Sequence, residues 1–240
     1  MSVNRSPRLA FALDYPTLDE ARRGAEQVCE SAGVLKVGLE LFVREGPRAA
    51  QLGSSLGCEV FLDLKLHDIP ETVERAVSSA AALGVTYLTV HASGGPRMLE
   101  RAARAAETSS LKLLAVTVLT SLDAADLHAT GVTDQPAAQA LRLAKLAVST
   151  GIPGLVCSAN EVGSLRKALG PDVLLVTPGI RLAQGGADDQ KRTGTPSGAI
   201  RDGSSLLVVG RPIRDAADPA RAARAIAQEI RKAELESETT

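Results

Sequence analysis

An excess of positive charge is the first thing this 240-residue chain lacks: 27 lysines and arginines stand against 28 aspartates and glutamates, for a net charge of −1. A nucleic-acid binder carries a broad basic footprint, so that class is set aside, and any bound anion must be met by local groups. Cysteine is scarce too. Cys29, Cys58 and Cys157 lie far apart without a CxxC pair, which gives neither a zinc site nor a disulfide framework and fits a reduced compartment. The three histidines, His67, His91 and His128, fall in no HxH or HExxH spacing, and His91 at a strand end reads as a hydrogen-bonded structural residue rather than a ligand. No run approaches the ~20 apolar residues of a membrane span. The first apolar run is short and ends in Asp14, so a signal peptide is not expected either. The expectation is a soluble cytoplasmic protein with no nucleic-acid or membrane partner.

What is present is repetition. Hydrophobic residues make up 45% of the chain, and short apolar strands alternate with helical stretches eight times. The expected strands cover residues 9–13, 34–38, 61–66, 85–90, 112–119, 154–157, 173–176 and 205–209. Helices are expected after the Thr17 cap and over 47–56, 70–83, 96–106, 136–149, 161–169 and 219–235, with a further turn near Asp126. Each parallel crossover needs a covering helix, and eight such units in this length point to a single (β/α)8 barrel over residues 1–240. A doubly wound open sheet is the competitor; no GxGxxG follows the first strand and no composition break divides the chain. Residues 236–240 read as a frayed tail.

The chain is organised around the stretch Phe-Leu-Asp-Leu-Lys-Leu-His-Asp-Ile-Pro-Glu-Thr at 61–72. Alternation of period two places Asp63 and Lys65 on one strand face, their Cα atoms about 6.6 Å apart. Such a tip is either the solvated face of an edge strand or a charged site. The apolar frame of Val60, Phe61, Leu62, Leu64 and Leu66 argues for a strand covered on both sides, where a charge must be paired or functional. Asp14, Lys36, Asp63, Lys65, His91, Thr120, Arg181 and Arg211 all stand at expected strand ends, and in a barrel these ends share one mouth. If Lys36, Asp63, Lys65 and Asp68 meet there, charges of opposite sign alternate and each ion is compensated. At the eighth strand's end, Gly210 permits close backbone approach to an anion and Arg211 offers a bidentate phosphate partner; a tight turn with a surface arginine fits equally. The Gly-rich segment at 181–199 is either a closing loop or a solvated one.

Taken together, Asp63-x-Lys65-x-x-Asp68-Ile69-Pro70, Lys36 on the second strand, Thr120 in Val-Leu-Thr-Ser-Leu, Pro178-Gly179-Ile180-Arg181, Asp188-Asp189-Gln190-Lys191-Arg192 and Val209-Gly210-Arg211-Pro212-Ile213 closely resemble the bacterial type of orotidine 5′-phosphate decarboxylase over essentially the whole chain. The resemblance implies cofactor-free, metal-free decarboxylation of orotidine 5′-monophosphate in a homodimer. It implies that Lys65 is the acid, that Asp63 lies beside the substrate carboxylate, and that Lys36 and a partner-donated Asp68 complete the charge network. It also implies that Asp14 and Lys36 hold ribose hydroxyls and that Thr120 contacts the pyrimidine. Arg181, Gln190, Gly210 and Arg211 would secure the phosphate, and the run Leu64, Leu66, His67, Ile69, Pro70, Glu71 and Thr72 would border the substrate. The alternatives are a Mg2+-dependent sugar-phosphate decarboxylase or synthase of the same superfamily, against which Lys36 argues, and a non-catalytic nucleotide-binding barrel.

Overall fold

A computed structural model describes residues 5–181 and 193–238. Eight parallel strands close into a barrel in sequence order, β1 Ser6–Ala12, β2 Ala32–Val37, β3 Glu59–Leu66, β4 Tyr87–His91, β5 Lys112–Val116, β6 Gly154–Val156, β7 Leu174–Thr177 and β8 Leu206–Val209, with β1 pairing β8. Outside them run α1 Leu18–Val28, α2 Leu39–Glu45, α3 Pro47–Ser55, α4 Pro70–Ala82, α5 Pro96–Ala106, α6 Ala124–Ala129, α7 Pro136–Ser149, α8 Ala159–Leu169, α9 Pro196–Arg201, α10 Arg211–Arg214 and α11 Pro219–Glu238. The expected barrel is therefore the observed fold.

Helix starts are written into the sequence. Thr17 caps α1 by accepting from the Glu20 N–H, as its spacing predicts. Proline opens α3, α4, α5, α7, α9 and α11, where its fixed φ suits the first turn and its missing N–H costs nothing. The large core cluster lies between sheet and helices, built on residues such as Leu9, Leu35, Leu62, Leu88 and Leu113 with Val77, Leu99 and Ile230 from the helices. A second cluster of Ala10, Ala12, Val34, Phe61, Leu114, Val176, Leu206 and Val208 packs apart from it. These residues alternate with the first set along each strand, so they fill the barrel interior.

Several expected boundaries move. β5 stops at Val116 rather than at residue 119, because β6 is three residues long and the last ladder pair is Val116 with Val156. The short helices α2, α9 and α10 follow strand ends or a loop that read as irregular. α9 begins within the expected closing segment at 181–199 and runs past its end, and residues 182–192 of that segment lie outside the described ones. The last helix continues to Glu238, so residues 236–238 are helical rather than frayed. Among the described residues no helix is long and apolar enough to cross a membrane.

Candidate active site

Strand parity builds the mouth. Two residues beyond the interior-filling Ala10, Val34, Phe61 and Leu114 stand Ala12, Lys36, Asp63 and Val116, and all four line one cavity of about 270 Å3. Asp14, Lys65, Thr120, Arg181, Gly210 and Arg211 complete its polar wall, while Val118, Leu119, Val156, Cys157 and Val208 supply apolar surface.

Asp63 is the hub. Lys65 Nζ donates to both of its carboxylate oxygens at 2.9 Å, and Lys36 Nζ donates to Oδ2 at 3.2 Å. Asp14 Oδ1 lies 3.7 Å from the same Lys36 ammonium, so the order of charge is Asp14, Lys36, Asp63, Lys65. The side chains of Lys36 and Asp63 are only 12% and 14% exposed, against 29% for Lys65. Burial alone would neutralise such groups. For Asp63 burial opposes ionisation, but Lys36, Lys65 and hydrogen bonds from Lys65 and Thr89 outweigh it and pull the pKa down to about 2. For Lys36 burial likewise opposes charge, yet Asp63 and then Asp14 hold its pKa above the ordinary lysine value. Both are ionised at neutral pH.

The local backbone is unusual beside this charge network. Between Leu62 and Leu66, β3 advances four residues while β4 advances two, from Leu88 to Val90, which is a bulge in the ladder. Within it Lys65 has φ of 50°, the one positive φ of any non-glycine residue among those described. That left-handed conformation costs about 1 kcal/mol or more for a side-chain-bearing residue, and such costs gather at functional sites. Thr89, fully buried on β4, accepts from the Lys65 backbone N–H at 2.8 Å and donates to Asp63 Oδ1 at 2.9 Å. Sequence reasoning missed it. Its signal was its parity, two residues past the inward Tyr87 and two before His91.

Glycines and arginines shape another part of the wall. A Cβ on Gly210 would meet Ala12 Cβ and Asp14 Oδ2 at 3.4 Å each, so glycine keeps the wall open beside Arg211. Gly179, at φ +76°, lines the cavity with Arg181. The Arg181 N–H donates to Gly194 O at 2.9 Å and the Gly194 N–H to Gly179 O at 3.2 Å, which ties the two ends of the segment at 182–192 together. Gln190, expected to reach the phosphate from that segment, lies outside the described residues. Arg214, paired with Asp215, donates to the Asp14 backbone carbonyl at 3.0 Å and so steadies the end of β1.

The expected run along 64–72 divides. Lys65 lines the cavity, but Leu64, Leu66, His67, Asp68, Ile69, Pro70, Glu71 and Thr72 do not. Leu64 and Leu66 point the other way and pack against the main core. Glu71 pairs with Arg75 along α4, and Thr72 is exposed. Asp68 is exposed, with Oδ1 accepting from the Ile69 N–H at 2.6 Å, so it does not join Lys36, Asp63 and Lys65 of its own chain. His67 is exposed and its ring centroid lies 5.4 Å from that of His91. Burial first, then His67 and Lys65, hold the His91 imidazole below its ordinary pKa, so it adds no cation to the rim at neutral pH.

A family model described as orotidine 5′-phosphate decarboxylase / HUMPS family matches residues 7–226. Orotidine 5′-phosphate decarboxylase of Anaeromyxobacter sp. (strain K) is 55% identical over 92% of this chain and 97% of its own. That of Chromohalobacter salexigens is 50% identical over 96% and 98%. Among solved structures, orotidine 5′-phosphate decarboxylase from Lactobacillus acidophilus superposes with a TM-score of 0.82 at 38% identity, covering 94% of this chain and 99% of that one. An uncharacterized conserved protein from Geobacillus kaustophilus gives 0.80 at 34% identity, covering 92% and 99%. With strand-end charges in one mouth and these likenesses spanning nearly its full length, the chain belongs to the orotidine 5′-phosphate decarboxylase / HUMPS family.

Proposed function

We propose that the protein decarboxylates orotidine 5′-monophosphate to uridine 5′-monophosphate and CO2, without a cofactor, as the last step of de novo pyrimidine nucleotide synthesis. The observation that carries this reading is the ammonium of Lys65 held by both oxygens of Asp63, itself held by Lys36, in a cavity flanked by Arg181 and Arg211. As the bond from C6 to the carboxyl group breaks, its electron pair stays on C6, where no neighbouring carbonyl absorbs it. A fixed ammonium aimed at that carbon stabilises the developing charge more in the transition state than in the ground state. Lys65 then gives its proton to C6, CO2 departs, and solvent restores the lysine. Because Asp63 stays ionised down to about pH 2, the lysine keeps its counter-ion throughout the physiological range.

Arg181, Gly210 and Arg211, with Gln190, take the phosphate; Asp14 and Lys36 take ribose hydroxyls; Thr120 meets the pyrimidine. Phosphate binding at a distance from C6 supplies energy that orients the ring against Lys65. The active unit is a homodimer in which Asp68 enters the partner's cavity. Supporting this are the exposure of Asp68 and three exposed apolar side chains in the segments that follow two adjacent strands: Leu39 at 51% and Val43 at 81% on α2 after β2, and Ile69 at 67% after β3. Apolar surface left at such a rim favours association.

A Mg2+-dependent sugar-phosphate enzyme fits less well. Both oxygens of Asp63 are already bonded to ammonium groups, and Lys36 and Lys65 would repel a divalent cation placed there. The test is direct: the purified protein mixed with orotidine 5′-monophosphate in EDTA should lower the pyrimidine absorbance and release CO2. Activity that appears only on adding Mg2+, or none with this nucleotide, would overturn the reading.

A further inference from the structure

A residue outside the charge network holds it together through its hydroxyl. The bulge between Leu62 and Leu66 takes Lys65 out of regular pairing with β4, and the Lys65 N–H bonds instead to a side chain, Thr89 Oγ1, at 2.8 Å. The same hydroxyl sends its proton to Asp63 Oδ1 at 2.9 Å, and that oxygen also receives Lys65 Nζ at 2.9 Å. The result is a closed ring: Lys65 backbone to Thr89, Thr89 to Asp63, Asp63 to the Lys65 ammonium. A hydroxyl is the small group that accepts from an N–H and donates to a carboxylate at once. Thr89 is 0% exposed, so water has no ready route to replace it.

We propose that Thr89 is a positioning residue that fixes the left-handed Lys65 backbone and the Asp63 carboxylate in one geometry, aiming the ammonium. The inference rests on the proposed role of Lys65. Without the hydroxyl, the Lys65 N–H and one lone pair of Asp63 lose their partner, the bulge relaxes toward ordinary strand conformation, and Lys65 Nζ shifts relative to Asp63. A displacement of that order costs turnover rather than binding, since the phosphate and ribose contacts are made by other residues.

Thr89→Ser and Thr89→Ala test this as a pair, because both lack the methyl and differ only in the hydroxyl. In crystal structures of the two variants, Lys65 Nζ should stay near 3 Å from both Asp63 oxygens in T89S and leave at least one of them in T89A. This readout needs no activity. Kinetically, T89A should lower kcat about 30-fold with KM changed less than about threefold, and T89S should stay within about threefold of the parent. Unchanged Lys65 and Asp63 contacts in T89A, or T89S as impaired as T89A, would overturn the proposal. So would a T89A variant that melts earlier yet turns over normally once folded, which would leave Thr89 a packing residue. Failure of the parent protein to turn over orotidine 5′-monophosphate would strike the functional reading alone, and the structural arm would still decide the role of Thr89.

Discussion

At the scale of single residues, the charge network holds because each buried ion has neighbours of the opposite sign. Removing one partner of such a set leaves an uncompensated charge, which is costly. For Asp63 the consequence can be read as a function of pH. Its folded pKa of about 2 lies below the ordinary 3.8, so its ionised form stabilises the fold above about pH 4, and that contribution is lost as pH falls toward 2. The difference amounts to about 2 kcal/mol. Unfolding free energies from urea titrations of the parent and of Asp63→Asn, compared from pH 6 downward, should therefore converge by about this amount between about pH 4 and about pH 2. A gap that stays constant through that window would mean Asp63 is not held ionised by Lys36 and Lys65. The charged residues themselves were legible in the sequence, since Asp14, Lys36, Asp63 and Lys65 each interrupt or end an apolar strand. Thr89 was not, because a threonine inside a strand is ordinary, and only the bulge opposite it gives its hydroxyl two charged-site partners.

At the scale of elements, the strands place the site and the glycines keep it open. Gly210, at the end of β8, has room for a methyl group in the sense that its nearest neighbours would lie at ordinary contact distance, 3.4 Å. Gly210→Ala should then fold with a melting temperature close to the parent's but raise KM for the nucleotide about tenfold, because the methyl stands where the phosphate is proposed to bind. An unchanged KM would move the phosphate elsewhere. Gly154 on β6 is different: a Cβ there would lie 2.5 Å from Leu114 Cδ2, 3.0 Å from Leu174 Cβ and 3.2 Å from Leu174 O. Gly154→Ala should cost about 1–3 kcal/mol in urea unfolding, as overpacked barrel interiors do, and no loss would mean the interior yields more easily than its packing implies. Element order was legible because short apolar strands recur eight times and proline marks the start of six of the helices between and after them. The bulge in β3 was not: Asp-Leu-Lys-Leu reads as unbroken alternation, and two extra residues leave period two intact. Nor were α2 and α10 legible, helices of 7 and 4 residues with too few turns for a periodic signal.

At the scale of the whole molecule, one chain carries a mouth whose proposed fourth charge is not among the residues that line it. Asp68 lies beyond the end of β3, outside its own cavity, beside the exposed Ile69. If Asp68 serves the partner's site, two separately crippled variants should complement. Equal mixing of Lys65→Ala and Asp68→Ala chains, each with little activity, allows mixed dimers in which one site has both groups intact, and about a quarter of parental activity should return. Sedimentation should show the dimer in each sample. No recovery on mixing, with dimers present, would place Asp68 in its own site or in none.

The central claim is that the Lys65 ammonium, fixed by Asp63, is the group that meets the carbon losing its carboxyl. The measurement that tests it most directly is the turnover of orotidine 5′-monophosphate by Lys65→Ala, followed by absorbance beside titration of the same variant with uridine 5′-monophosphate. Turnover should fall by at least about 10^4-fold while product affinity stays within about tenfold of the parent's. Turnover within about tenfold of the parent's would contradict it.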